Sequence, residues 1–209
     1  MIFDEKKDIK TTFKDVAGLE GAKEEVQEII DKLVQDSHTD CPAVVVGWPR
    51  MGDDKKIYNS AAIIDNGKCL VVDKFHLPNY GVFDESRVFS SGNISGPILV
   101  RGIRIGLMIC EDAWYSDVSE SLLESGAQIL VAINGSPYDH SKEDERLSIA
   151  VSRVTETSLP LIYVNQVGGQ DELVFDGASF VLDSNSFNID ESKGKPRSIF
   201  SSIKSDNIF

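Results

Sequence analysis

The chain opens on a helical pattern and then changes period. Leu19, Ala22, Val26, Ile29, Ile30 and Leu33 recur at i, i+3, i+4 and i+7, with Glu24, Glu25, Glu28 and Lys32 on the other side. The spacing predicts one amphipathic helix that needs a partner surface, and its carboxylates read as a solvated face. From residue 43 the pattern shortens to β runs broken by turns. Residues 43–48 form a strand ending at Pro49. Residues 60–65 and 68–73 flank Asn66-Gly67 as a β-hairpin. Strands follow at 98–101 and 103–109, a helix at 119–125 stopped by Gly126, a buried strand at 129–133, a helix at 142–157, and strands at 161–165 and 178–182. On the helix at 142–157, Leu147, Ala150, Val151 and Val154 share one face.

Strands interleaved with helices and apolar on both faces predict an α/β sandwich of layers. The texture divides the chain into a charge-dense helical segment (1–36), an α/β core (37–183) and a polar tail (184–209) expected to be poorly ordered.

Composition narrows the function classes. With 209 residues and 41% hydrophobic content, the chain has length for one domain plus an appendage. No apolar stretch approaches the roughly 18–20 residues needed to cross a bilayer. The charged start, with no signal-peptide apolar region, predicts a cytoplasmic protein with no membrane partner. A net charge of −13 argues against nucleic acid and otherwise reads as solubility. Cys41, Cys69 and Cys110 form no CxxC pair, and His38, His76 and His140 are scattered, so no metal site is expected. His76 reads as a loop or packing residue.

One thiol stands apart. Cys110 ends the apolar run Ile105-Gly106-Leu107-Met108-Ile109 and is followed by Glu111-Asp112-Ala113-Trp114. A buried strand ending in a thiol at a sharp polar turn is one way to present a nucleophile, which then needs help to ionise and donors for the oxyanion it creates. Lys74, at the end of the strand 68–73, is a candidate for both tasks. On residue type alone a structural cysteine and a surface lysine are the commoner readings.

Four blocks sharpen this: residues 74–85 (KFHLPNYGVFDE), 106–114 (GLMICEDAW), 134–138 (NGSPY) and 163–177 (YVNQVGGQDELVFDG). They resemble the nitrilase, or carbon–nitrogen hydrolase, superfamily and within it the glutamine-amidase domain of glutamine-dependent NAD synthetases, over about residues 42–182. The resemblance implies a nitrilase-like αββα sandwich, here N-terminally incomplete and preceded by the amphipathic helix. It implies that Cys110 attacks the side-chain amide of L-glutamine, releasing ammonia, while Lys74 and the Glu111 backbone N–H hold the oxyanion. Tyr80, Glu85, Glu111, Ser136 and Lys142 fall where the family shapes the glutamine pocket; Ser136 and Lys142 also have simple structural readings. No cofactor is implied. A synthetase partner for the ammonia and a homo-oligomer are.

Two departures matter. The family's general-base Glu lies upstream of the Lys in an apolar-Pro-Glu setting, and this chain has no such segment; nor does it carry the SGGxDS-type loop of the synthetase half. Residues 12–33 (TFKDVAGLEGAKEEVQEIIDKL) instead resemble the entry to the AAA module of membrane-bound, ATP-dependent zinc metalloproteases, without a following GxxxxGK[ST] or HExxH. The sequence reads as an amidase domain short of a proton-transfer group worth typically about 10²–10⁴ in rate. The alternatives are another amidase of the superfamily, a non-catalytic fusion or truncation remnant acting as an interaction module, and a segment that docks on the AAA protease.

Overall fold

The computed structural model describes residues 19–184, with side chains from Glu25 onward. Residues 1–18, and the polar tail beyond residue 184, lie outside the described residues.

The amphipathic segment is helix α1 (Leu19–Asp36). After it, β1 (Val44–Met51), β2 (Ile57–Asp65) and β3 (Lys68–Asp73) form an antiparallel three-stranded sheet in the order β1-β2-β3. The β2–β3 turn places Asn66 at φ 46° and Gly67 at φ 73°. These left-handed values are the ones an Asn-Gly hairpin turn requires. Strand β1 runs past the expected stop at Pro49 to Met51. Its register pairs Pro49 with Asn59, whose carbonyl is taken by the Lys74 N–H on the far side of β2. That makes Pro49–Asn59 a non-hydrogen-bonded pair, so the proline nitrogen faces the free edge and no ladder bond is lost.

The second sheet has five strands in the order β10-β7-β6-β5-β4. Strands β5 (Ile103–Ile109), β6 (Ile129–Asn134) and β7 (Leu161–Asn165) run parallel at its centre. Strands β4 (Ile98–Val100) and β10 (Phe180–Leu182) flank them antiparallel. The parallel strands are joined by α2 (Ser116–Glu124) and α3 (Lys142–Thr157), as parallel neighbours require. Helix α3 begins with Glu143, Asp144 and Glu145, favourable charges at a helix N-terminus, and ends at Ser158 in the left-handed conformation. A small hairpin, β8 (Val167–Gln170) with β9 (Leu173–Asp176), completes the described elements and was not expected from the hydrophobic pattern. Both its strands are short and largely exposed, so no alternating core face marks them in the sequence.

Three cores stack these elements into four layers. Ile30 of α1, with Val26, Leu33 and Val34, packs on Trp48, Ala62 and Ile64 of the three-stranded sheet. The opposite face of that sheet, with Ala61, Ile63 and Val72, meets Val100, Leu107, Ile109 and Val131 of the second. Beyond it Met108, Leu130, Ala132 and Tyr163 pack under Leu122 of α2 and Ala150 and Val154 of α3. A Cβ at Gly106 would stand 2.9 Å from Leu130 Cδ2 and 3.1 Å from Leu122 Cδ1, so a bare backbone there lets α2 settle on β5. The order is α1, three-stranded sheet, five-stranded sheet, α2 with α3. This is an αββα sandwich, and the partner surface α1 needs is the outer face of the smaller sheet.

Candidate active site

A cleft of about 450 Å³ opens between the sheets, lined from β1 (Val45, Gly47), β2 (Asn59), the chain after β3 (Lys74, Phe83, Glu85) and the ends of β5 and β6 (Ile109, Cys110, Ile133, Asn134, Gly135). Cys110 follows the last residue of β5 and begins a 3₁₀ turn, Cys110–Ala113, with φ 49°. A non-glycine residue in that region costs on the order of 1–3 kcal/mol and persists only where its surroundings hold it. Asp112 does so. It is buried, accepts the Ile109 N–H on one oxygen (3.1 Å), and accepts the Phe75 and His76 N–H groups on the other (3.1 and 2.8 Å). One carboxylate therefore fixes the cysteine turn and ties it to the chain leaving Lys74. Burial pushes the Asp112 carboxyl above its ordinary value, opposed by those three N–H donors and by the Lys74 charge.

Lys74 is fully buried at its side chain, and its ammonium donates to both oxygens of Glu85 at 2.8 and 2.9 Å. Glu85 also accepts from Asn59 Nδ2 at 3.3 Å. Burial raises the Cys110 thiol above its usual range. The Lys74 charge and the Gly135 N–H pull it down, while Glu111 and Glu85 push it up. The site thus holds a thiol, a cation paired with a carboxylate, and a backbone donor directed at sulfur.

The remaining expected residues divide. Tyr80 is half exposed and its hydroxyl donates to both oxygens of buried Glu111 at 2.9 Å, beside the thiol. Burial and the Glu111 hydrogen bond raise the Tyr80 hydroxyl far above its normal value, so it stays a donor. Ser136 is buried behind the cleft, with its hydroxyl accepting from Arg146 Nε at 3.0 Å. Lys142 sits at the start of α3, 4.6 Å from the Trp114 ring centroid and 2.7 Å from Glu145, and is not among the residues lining the cleft. His76 pairs with Asp117 at 2.8 Å and lies against Tyr115, joining the Lys74 loop to α2.

Several residues of the site escaped sequence reasoning. Arg146, almost fully buried, donates to Ser136 Oγ, to the carbonyls of Ser136 and Pro137, and to Asp176 at 2.9 Å. Asn165 accepts the Ser136 N–H and donates to its carbonyl. Together they cage the turn that carries the Gly135 N–H. The available signal was position: Arg146 lies four residues before Ala150, on the stripe that α3 buries. Among the described residues no cluster of three or more His, Cys, Asp or Glu is placed to hold a metal ion, and no helix is long and apolar enough to cross a membrane.

Comparison with known proteins matches this arrangement. The glutamine-dependent NAD(+) synthetase of Rhodobacter capsulatus is 44% identical over 144 residues, 68% of this chain and 26% of that protein. That of Aquifex aeolicus is 41% identical over 160 residues, 76% of this chain and 28% of that protein. The chain spans about a quarter of the length of the curated relatives it matches. Among solved structures, glutamine-dependent NAD+ synthetase from Acinetobacter baumannii aligns at a TM-score of 0.72 with 35% identity, covering 78% of this chain and 31% of that one. An amidase from Nesterenkonia sp. AN1, with acrylamide added at its active site cysteine, aligns at 0.65 with 25% identity, covering 77% and 63%. The resemblance of residues 12–33 to an AAA module has no support in these comparisons, and α1 packs as a layer of the sandwich. With a Carbon-nitrogen hydrolase family profile matching residues 11–186 over this fold and this cysteine turn, the chain belongs to the carbon–nitrogen hydrolase family.

Proposed function

We propose that this chain is the glutamine-amidase part of a glutamine-dependent NAD synthetase, with its catalytic body over residues 37–183 and α1 as the outer layer. The observation that carries the reading is the meeting of Cys110, on its left-handed turn, with buried Lys74 in one cleft. The relatives that match the chain supply the substrate class.

In this reading the Cys110 sulfur attacks the side-chain amide carbon of L-glutamine. Its proton passes to the Lys74–Glu85 pair, Glu85 being the one carboxylate among the residues lining the cleft. Lys74 and the Glu111 backbone N–H carry the oxyanion. The C–N bond then breaks, the amide nitrogen takes up the proton and leaves as ammonia, and a thioester remains on Cys110. Water adds to the thioester, giving a proton to the Lys74–Glu85 pair; the C–S bond breaks, that proton returns to the Cys110 sulfur, and glutamate leaves. Tyr80 and Glu111 form one wall of the substrate site, with Ser136 and Lys142 supporting it from behind. No cofactor enters these steps. The ammonia goes to a synthetase domain, and the chain works in the cytoplasm as a homo-oligomer.

An ammonia-release assay with glutamine tests this. Turnover is expected in the unsubstituted chain and is expected to vanish in Cys110→Ala and Lys74→Ala. A second reading, a folded but non-catalytic remnant, is favoured by one observation: the thiol is held above its ordinary pKa while Glu85 is bound through both oxygens to Lys74. Absence of ammonia release, with Cys110 also inert to a glutamine-analogue electrophile, would favour it over the amidase.

A further inference from the structure

Lys74 is the strongest charge beside the Cys110 thiol, so whatever fixes its ammonium also sets how readily the thiol ionises. Three residues close a ring around that ammonium. The Asn59 carbonyl accepts the Lys74 backbone N–H at 2.8 Å; Lys74 Nζ donates to Glu85; and Asn59 Nδ2 donates back to Glu85 Oε2 at 3.3 Å. Asn59 lies on β2, so it ties both ends of the ion pair to a strand buried between two layers. The Lys74 carbonyl is held as well, by the Gly92 N–H at 2.8 Å. Glu85 follows an exposed loop and has no strand of its own to orient it.

Resting on the amidase reading above, we propose that Asn59 is a positioning residue: it orients the Glu85 carboxylate on Lys74, and so directs the Lys74 charge at Cys110. Without the amide donor, Glu85 is held by Lys74 alone, and the ion pair, no longer tied at its carboxylate to β2, shifts as a unit away from Cys110. An aspartate at the same place puts a second carboxylate against Glu85 and draws the ammonium away from the thiol. Besides Lys74 and Glu85, the groups that face Cys110 are Glu111 beside it and the hydroxyls of Tyr80 and Tyr163. The Asn59 amide donates to Glu85, and Tyr80 donates to Glu111, so the two sets of partners stay separate.

The test is the pH dependence of Cys110 carbamidomethylation by iodoacetamide, followed by peptide mass spectrometry, with Cys41 and Cys69 as internal references. Asn59→Asp keeps the side chain's shape and reverses its hydrogen-bonding sense. It is expected to move the Cys110 midpoint up by about one pH unit, a roughly tenfold slower reaction at neutral pH, and to leave the other two cysteines unchanged. Asn59→Ala, which adds no charge, should move it in the same direction by less. A variant that alters packing alone would slow or speed all three thiols together without moving the Cys110 midpoint. An unchanged Cys110 profile in both variants, with circular dichroism and thermal midpoint like those of the unsubstituted chain, overturns the proposal. The amidase reading fails separately, through absence of ammonia release in the unsubstituted chain, and that failure leaves the alkylation profile as a measure of Asn59.

Discussion

The five-stranded sheet has three parallel strands at its centre, two helices on one face and the other sheet on its second face. The three-stranded sheet is a simple antiparallel meander under a single helix, with β1 and β3 both at its edges. The candidate site draws on the two unequally. The larger sheet supplies the thiol and the backbone donor, fixed by the buried carboxylate of Asp112 and the Arg146 cage. The smaller sheet supplies the cation and its partners, Lys74, Glu85 and Asn59. The geometry of the thiol is therefore set by the better-covered half, and the cation beside it by the thinner one. Loosening the thinner half should discharge the site before it displaces the thiol.

The sharpest test removes the charge. Lys74→Met leaves Glu85 mostly buried without its cation, and should cost about 3–5 kcal/mol by denaturant unfolding. The same variant should slow Cys110 alkylation at neutral pH by about tenfold or more, because the opposite charge that favours the thiolate is gone. An equally stable, equally reactive variant would mean that the smaller sheet contributes no charge to the site. Next, Arg146→Met should cost about 3 kcal/mol, because it strands the Pro137 carbonyl and leaves the Asp176 carboxylate without its cation. Its signature is a loosened Gly135 turn, read as faster amide exchange at residues 134–137 with exchange in β2 unchanged.

Smaller still is the contrast between cores. Leu122→Ala, under α2, should cost about 3 kcal/mol and lower global stability. Ile30→Ala, under α1, should cost about 2 kcal/mol and show mainly as earlier amide exchange in β1–β3, with β5–β7 protected. Uniform exchange in both variants would erase the distinction between the halves. The subtlest effect is the pH profile. Burial holds the Cys110 thiol above its ordinary value, so its alkylation at pH 7 should be slower than that of a free cysteine peptide and should climb as pH rises. In Lys74→Met the rise should begin at still higher pH, since the charge that favours the thiolate is gone.

Much of this frame was legible from residue order. The Asn66-Gly67 hairpin, the span of α3 and the three central strands follow from turn chemistry and local periodicity. Cys110 and Lys74 were candidates as reactive types at the ends of apolar strands, and the resemblance of their flanking blocks to the nitrilase superfamily raised them above the structural readings. Residues whose role comes from distant partners were not legible. Asn59 is 26 positions from Glu85, which the family resemblance already pointed to, and Arg146 is 30 positions from Asp176. Ser136 and Lys142 show the converse: adjacent to the site in sequence, they are turned toward Arg146 and toward Trp114 and Glu145.

By itself, the sequence determined the alternation of strands and helices, the thiol at a strand end and the amphipathic character of α1, because each depends on neighbours within one or two turns of chain. Tertiary structure alone decided which surface α1 covers, which side chains face Cys110, and that an arginine on the buried stripe of α3 holds the turn beside it. Those outcomes depend on burial and on pairing between buried charges, which arise only when the two sheets close on one another.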